Sequence, residues 1–201
     1  MHKDYDNIIF DLGDVLLDYR WKEMLMDYGF SENEAIRLGR QLFDNELWSK
    51  FDEGIYSEEE IVKAYVELYP QDKDAIEFFI YHSEYMHKPR IKVWRKLEEL
   101  KKAGYKLYLL SNYPENMFKK HTQYADFMPF LDGALVSYQV NLLKPDLAIY
   151  KALIEKYELN PIRSIFFDDR QKNVEGARAA GLASERVLSE DALIQMLDKF
   201  L

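Results

Sequence analysis

Asn7-Ile8-Ile9-Phe10-Asp11-Leu12-Gly13-Asp14-Val15-Leu16-Leu17 decides the fold: an apolar run ends on a carboxylate and then turns through a glycine. A buried strand ending this way delivers an acid to a sheet edge, where it can attack an electrophile covalently or bind a metal. Three later segments bring partners to such an edge. They are Leu107-Tyr108-Leu109-Leu110 before Ser111-Asn112, the helix start at Lys144-Pro145, and Ile165-Phe166-Phe167 before Asp168-Asp169.

From about Arg90 onward, helical and strand patterns alternate. Ile91 to Ala103 has apolar residues at helical spacing and closes at Gly104, and the strand into Ser111 follows. Pro114 to about Phe127 reads as a helix, Ala134 to Val136 as a short strand, Pro145 to Tyr157 as a helix and Ser164 to Phe167 as a strand. Val174 to Ala180 reads as a helix stopped by Gly181, Val187-Leu188 as a last strand, and Glu190 to Phe200 as a closing helix. This order predicts a doubly wound parallel α/β sheet covered on both faces, with ligands bound outside the carboxyl ends of its strands.

The stretch from about Asp18 to Pro89 differs. Ser31 to Phe43, Ser57 to Tyr69 and Asp72 to Met86 read helical, Ser57 with Glu60 forms a capping box, and no segment reads as a strand. The expected organisation is a core of residues 1–17 and 90–201 with an all-helical cap of residues 18–89 standing over the strand ends as a lid.

Composition narrows the function. A chain of 201 residues with 48% hydrophobic content can bury one domain plus a modest insert. A net charge of -9 with interspersed basic residues argues against a nucleic-acid binder and for a small-molecule partner. The chain has no cysteine, which excludes disulfides and thiolate chemistry. His2, Lys3, Asp4 and Asp6 make the start too charged for a signal peptide, and no run approaches the roughly 20 apolar residues of a membrane span, so a cytoplasmic protein is expected.

If Asp11 and Asp169 converge, two like charges at about 4 Å cost on the order of 4 kcal/mol in a partly screened site, so a cation belongs between them. Magnesium suits hard oxygen ligands with a substrate phosphate completing the shell. Lys144 adds a fixed positive charge, and Ser111 with the backbone around Gly13 and Asn112 can hold phosphate oxygens. Phosphoryl transfer needs little beyond positioning and charge neutralisation. Each residue alone also reads as a cap, a turn or a solvated lysine; it is their order along one sheet edge that points to chemistry.

Asp11-Leu12-Gly13-Asp14-Val15, Ser111-Asn112, Lys144-Pro145 and Phe167-Asp168-Asp169 with Asn173 together resemble the four ordered motifs of the haloacid dehalogenase superfamily. The resemblance implies a Rossmann-like core, a helical cap inserted after the first motif, magnesium dependence and an aspartyl-phosphate intermediate. It makes Asp11 the nucleophile and a metal ligand, the Gly13 carbonyl and Asp169 further ligands, Asp168 a supporting acid, Asn173 an outer-shell residue, and Ser111 and Lys144 the phosphate holders. Most phosphatases of the superfamily carry a second Asp where this chain has Gly13, a general acid and base worth about 10²- to 10⁴-fold. Either Asp14 serves instead or the leaving group needs little help. Gly13 also resembles the α-glucose-1-phosphate phosphatase branch, whose anomeric leaving oxygen would fit the second explanation.

The expected function is therefore magnesium-dependent hydrolysis of a small phosphorylated metabolite, a sugar phosphate such as a hexose 1-phosphate. The alternatives are a haloacid dehalogenase-type hydrolase and a phospholigand-binding protein without turnover. A phosphotransfer receiver would carry its acidic pair early rather than last. In the cap, Arg20, Trp21, Phe43, Glu46 and Trp48 are candidate substrate contacts, although aromatic residues at helical spacing also read as core. His2, His82, His87 and His121 show no ligand spacing and are expected in surface or cap packing.

Overall fold

The computed structural model describes residues 4–201, so that His2 lies outside the described residues. Its strands are β1 (Asn7–Phe10), β2 (Leu17–Tyr19), β3 (His87–Pro89), β4 (Lys106–Ser111), β5 (Gly133–Val136), β6 (Ser164–Asp168) and β7 (Ala183–Arg186). Its helices are α1 (Trp21–Tyr28), α2 (Glu32–Phe43), α3 (Glu46–Asp52), α4 (Glu58–Leu68), α5 (Lys73–Tyr81), α6 (Ile91–Lys102), α7 (Glu115–Thr122), α8 (Ser137–Val140), α9 (Leu147–Lys156), α10 (Gln171–Ala179) and α11 (Glu190–Leu197).

Five strands form one parallel sheet in the order β5-β4-β1-β6-β7. Side chains alternate across it as the pleat requires. Ile8, Phe10, Leu107, Leu109, Ile165 and Phe167 pack on one face with Val93 and Leu97 of α6 and Leu193 of α11. Ile9, Tyr108, Leu110 and Phe166 pack on the other with Ile149 and Leu153 of α9 and Ala177 of α10. Both faces are covered, which is why β1 reads as an unbroken apolar run.

The helical stretch departs from its sequence reading in several places. Capping boxes close the starts of both α2 and α4, Ser31 with Glu34 and Ser57 with Glu60. The stretch from Asp72 to Met86 is broken, with α5 flanked by single 3-10 turns at Pro70–Asp72 and Ser83–Tyr85. Strands also occur where none was expected: β2 and β3 pair antiparallel, Leu17 opposite Pro89 and Tyr19 opposite His87. Three-residue strands are too short to show alternation, and Pro89 disguises one of them. Beside this ribbon, Arg90 binds Asp18 at 2.6 Å and Trp94 Nε1 donates to the Leu16 carbonyl at 2.6 Å, so both passages of the chain are tied together at the sheet edge.

Two expectations in the C-terminal half are also corrected. The last strand is Ala183–Arg186, not Val187-Leu188; the Val187 amide donates to the Asp168 carbonyl at 2.9 Å just past it. Its Ser-Glu-Arg sequence carries no apolar run because it is the sheet's edge. Helix α7 stops at Thr122, and a further 3-10 turn at Met128–Phe130 completes the connection to β5. No helix of the described residues is long and apolar enough to cross a membrane.

Candidate active site

Register brings the site together. Phe10 is paired with Leu109 on one side and Phe167 on the other, so the next residue of β1's path, Asp11, emerges level with the ends of β4 and β6. Its amide still donates to the Phe167 carbonyl at 2.9 Å, which fixes the direction in which the chain leaves the sheet. Ser111, Asp168 and Asp169 arrive at the same edge, and the loop before α9 lays Lys144 between them.

Asp11 Oδ1 is held by three donors: the Leu12 amide at 2.7 Å, Ser111 Oγ at 2.7 Å and Lys144 Nζ at 2.9 Å. Oδ2 accepts no hydrogen bond among the described residues. One oxygen is thereby anchored and the other left to react. Lys144 Nζ also binds Asp168 Oδ2 at 2.7 Å and donates to the Leu110 carbonyl at 2.9 Å. Burial alone would lower the Lys144 pKa, but the charges of Asp11 and Asp168 overcome it and hold the ammonium on.

Asp168 is fully buried and its oxygens are committed, to Lys144, to Asn173 Nδ2 at 3.0 and 3.1 Å, and to the Arg170 amide at 2.8 Å. Asp169 is half-buried with its carboxylate free among the described residues. Oxygens of Asp11, Asp168 and Asp169 lie within 4.8 Å of one another. Burial pushes the Asp11 carboxyl up to about 7 against the pull of Lys144, and Asp168 and Asp169 add to the rise. Asp169 is raised by burial and then by Asp168. One buried lysine thus leaves this cluster short of positive charge, the condition that favours a cation. Asn173 Oδ1 is buried with no partner among the described residues, an acceptor left over for a cation-bound water.

The remaining expected residues differ in their relation to the cavity. Asn112 lines the cavity, but its side chain is used to fix the lysine: Nδ2 donates to the Lys144 carbonyl at 3.0 Å and Oδ1 accepts from the Lys144 amide at 2.8 Å. Asp14 also lines the cavity, in a left-handed conformation with φ 52°, and its Oδ1 accepts from the Tyr19 amide at 3.0 Å. Burial raises its pKa, the Tyr19 hydrogen bond opposing. Trp21, Phe43 and Trp48 form an aromatic wall of the cavity, with Phe43 5.4 Å from Trp21 and 4.6 Å from Trp48 between ring centroids.

Arg20 and Glu46 are not brought to the cavity. Arg20 pairs with Asp27 and donates to the Tyr85 carbonyl, and Glu46 is exposed in the first turn of α3, at the helix's positive end. His82 is exposed as expected, but His121 is a buried residue of α7. Its Nε2–H donates to the Ser83 carbonyl at 2.7 Å, which leaves Nδ1 to accept from the Tyr113 hydroxyl at 2.8 Å. Burial and then His87, whose tilted ring lies 4.4 Å away, push its pKa down to about 4.

The cavity is also lined by Tyr19, Asp52, Tyr113 and Arg170, which no sequence motif marks. Asp52 ends α3, and one signal could have found it: it lies four residues after Trp48, on the same helix face.

A family profile described as haloacid dehalogenase-like hydrolase matches residues 5–181. Two curated relatives are 25% identical: a drimenol cyclase of Aspergillus calidoustus over 94% of this chain and 35% of the relative, and a sesquiterpene phosphatase of Aspergillus oryzae over 87% of this chain and 85% of the relative. The chain therefore spans about a third of the length of the cyclase and most of the phosphatase. Among solved structures, a magnesium complex of a HAD family enzyme from Bacteroides thetaiotaomicron has the same fold, with a TM-score of 0.72 at 20% identity over 92% of this chain and 94% of that one.

Proposed function

We propose that this chain, which belongs to the haloacid dehalogenase-like hydrolases, is a magnesium-dependent phosphatase that hydrolyses a small phosphorylated metabolite through an aspartyl phosphate on Asp11. The observation that carries this reading is the meeting of Asp11, Asp168 and Asp169 oxygens within 4.8 Å, with Lys144 between the first two. A carbon–halogen bond offers no dianion for such a cluster's cation to neutralise, which favours a phosphate ester over a halogenated acid.

Asp11, Asp169 and the Gly13 carbonyl would hold the cation, with Asp168 and Asn173 in support. A magnesium ion there supplies charge neutralisation for the phosphoryl oxygens. The free Oδ2 of Asp11 attacks phosphorus while Ser111, Leu12 and Lys144 keep the other oxygen in place. Lys144 counters negative charge as it builds in the transition state. The helices between residues 18 and 89 act as a cap on the core formed by the chain on either side, joined to it at the β2–β3 ribbon.

The finer reading is a hexose 1-phosphate, since aromatic faces such as Trp21 and Trp48 can pack against a sugar ring. A second reading is favoured by the same wall: Trp21, Phe43, Trp48, Met86 and Met117 offer little hydrogen bonding and suit the phosphate ester of an apolar alcohol. Phosphate release from hexose 1-phosphates, hexose 6-phosphates and terpenyl phosphates, with and without magnesium, tests both. The expected result is magnesium-dependent release by the wild type and none by Asp11→Asn; the preferred ester decides the substrate class. Release by Asp11→Asn at the wild-type rate would overturn the mechanism.

A further inference from the structure

We propose that Asp52, on the helical side of the cavity, is the general acid and base that works opposite Asp11, a role that rests on the phosphatase reading above. Position 13 cannot supply this group. A Cβ added to Gly13 would lie 2.2 Å from Tyr19 Cε2 and 2.8 Å from Tyr19 Cζ, so the tyrosine ring fills the space a side chain there would need. Asp14 is turned by its left-handed backbone, and its Oδ1 is engaged with the Tyr19 amide. Of the carboxylates lining the cavity, Asp11 and Asp169 belong to the charge cluster. Asp52 remains, and its carboxylate makes no hydrogen bond among the described residues.

The fold holds Asp52 in that place by its backbone. Ser137 Oγ, at the start of α8, donates to the Asp52 carbonyl, and Asn141 Nδ2 donates to the Glu53 carbonyl at 2.8 Å. Gly54 follows in a left-handed turn with φ 80°, where an added Cβ would stand 2.9 Å from Tyr138 Cα. The end of α3 is thus locked against α8, which follows β5 of the sheet, and Asp52 lines the same cavity as Asp11.

Its surroundings suit proton transfer. Asp52 shares the cavity with Arg170, Asp11 and Lys144, whose charges act on it, and it acts in turn on the phenols of Tyr19, Tyr65 and Tyr113. Burial raises its carboxyl to about 7, Asp11 adding to the rise while Arg170 and Lys144 oppose it. An acid so placed is available in both protonation states near neutrality. In the first step, Asp11 Oδ2 forms a bond to phosphorus, the bond from phosphorus to the leaving oxygen breaks, and that oxygen takes the proton of the Asp52 carboxyl. In the second, the Asp52 carboxylate takes a proton from water, whose oxygen bonds to phosphorus as the acyl phosphate bond breaks. Inorganic phosphate leaves, and both side chains return to their starting states. An activated leaving group is then unnecessary.

The test compares kcat/KM for 4-nitrophenyl phosphate, whose leaving group needs no proton, with that for an alkyl phosphate, in the magnesium-loaded wild type, Asp52→Asn and Asp52→Glu. Asp52→Asn is expected to lose about 10²- to 10⁴-fold on the alkyl ester and less than about 10-fold on the nitrophenyl ester. It should also release a burst of one nitrophenolate per enzyme, because the base for the second step is gone. Asp52→Glu keeps a carboxyl and should recover part of the alkyl-ester rate, which holds the test even if the asparagine variant folds poorly. Equal losses on both esters, or none, would overturn the role of Asp52 while leaving the phosphatase standing. A wild type that cleaves neither ester would overturn the phosphatase reading itself, and this role with it.

Discussion

The ring of Tyr19 occupies the volume above Gly13: a Cβ built on that glycine would meet Tyr19 Cε2 at 2.2 Å. The two residues are therefore coupled, and the small residue in the first motif is a packing requirement of the ribbon that follows it. Tyr19 cannot swing away freely, since its ring lies 6.0 Å from that of Tyr113 and 6.5 Å from that of His121.

Gly13→Asp is accordingly expected to destabilise the protein by about 1–3 kcal/mol, the usual cost of overpacking. Combined with Tyr19→Ala, the added side chain gains room, and the double variant should be more stable than the sum of the single changes predicts. Urea denaturation of the four proteins gives the coupling energy; strict additivity would show that the ring does not govern position 13.

Lys144→Met removes a side chain that is 1% exposed and leaves the fully buried Asp168 without its cation. Breaking a buried pair from one side costs about 3–5 kcal/mol. The loss should be larger at pH 8 than at pH 5, because the carboxylates left behind can escape the penalty by taking up protons. Denaturant midpoints at the two pH values check this.

Magnesium should stabilise the fold in a pH-dependent way. The Asp11 carboxyl is raised from 3.8 to about 7, so the folded chain keeps a proton that the unfolded chain releases, and this group's contribution to stability declines as pH rises from about 4 to 7. Asp52 shows the same displacement, and Asp169 is raised as well. Cation binding needs ionised ligands and strengthens over the same interval. The rise in Tm on adding magnesium is expected to be greater at pH 8 than at pH 5.5, reaching about 2.7 kcal/mol of stabilisation at a hundredfold excess over Kd. An equal rise at both values would contradict the protonation of Asp11.

Trp48→Ala opens the aromatic wall without touching the acidic cluster. It should raise KM by about 10-fold, a loss of about 1.4 kcal/mol of binding, and leave kcat within about 3-fold. Glu46→Ala, two residues earlier on the exposed side of α3, should leave both constants unchanged. Steady-state kinetics on the preferred ester separate the two outcomes.

The strand ends were legible because each is a local event. An apolar run that stops at Asp11, at Ser111 or at Asp168 announces a strand delivering a polar side chain, whatever the rest of the chain does. The ribbon of β2 and β3 was not legible, since three residues cannot display a period. That Arg20 and Glu46 do not line the cavity was not legible either, since helical spacing gives a face but not what that face meets.

The sequence by itself determined the layered α/β fold and the order in which Asp11, Ser111, Lys144 and Asp168-Asp169 reach one sheet edge, because those follow from local runs of apolar residues and the turns that end them. Only the tertiary structure decided that Tyr19 closes the space over Gly13, that Asn112 serves the backbone of Lys144, and that Asp52 faces the cavity. Those relations are made by packing between segments that no local pattern connects: the clamp of Ser137 on Asp52 spans 85 positions of the chain.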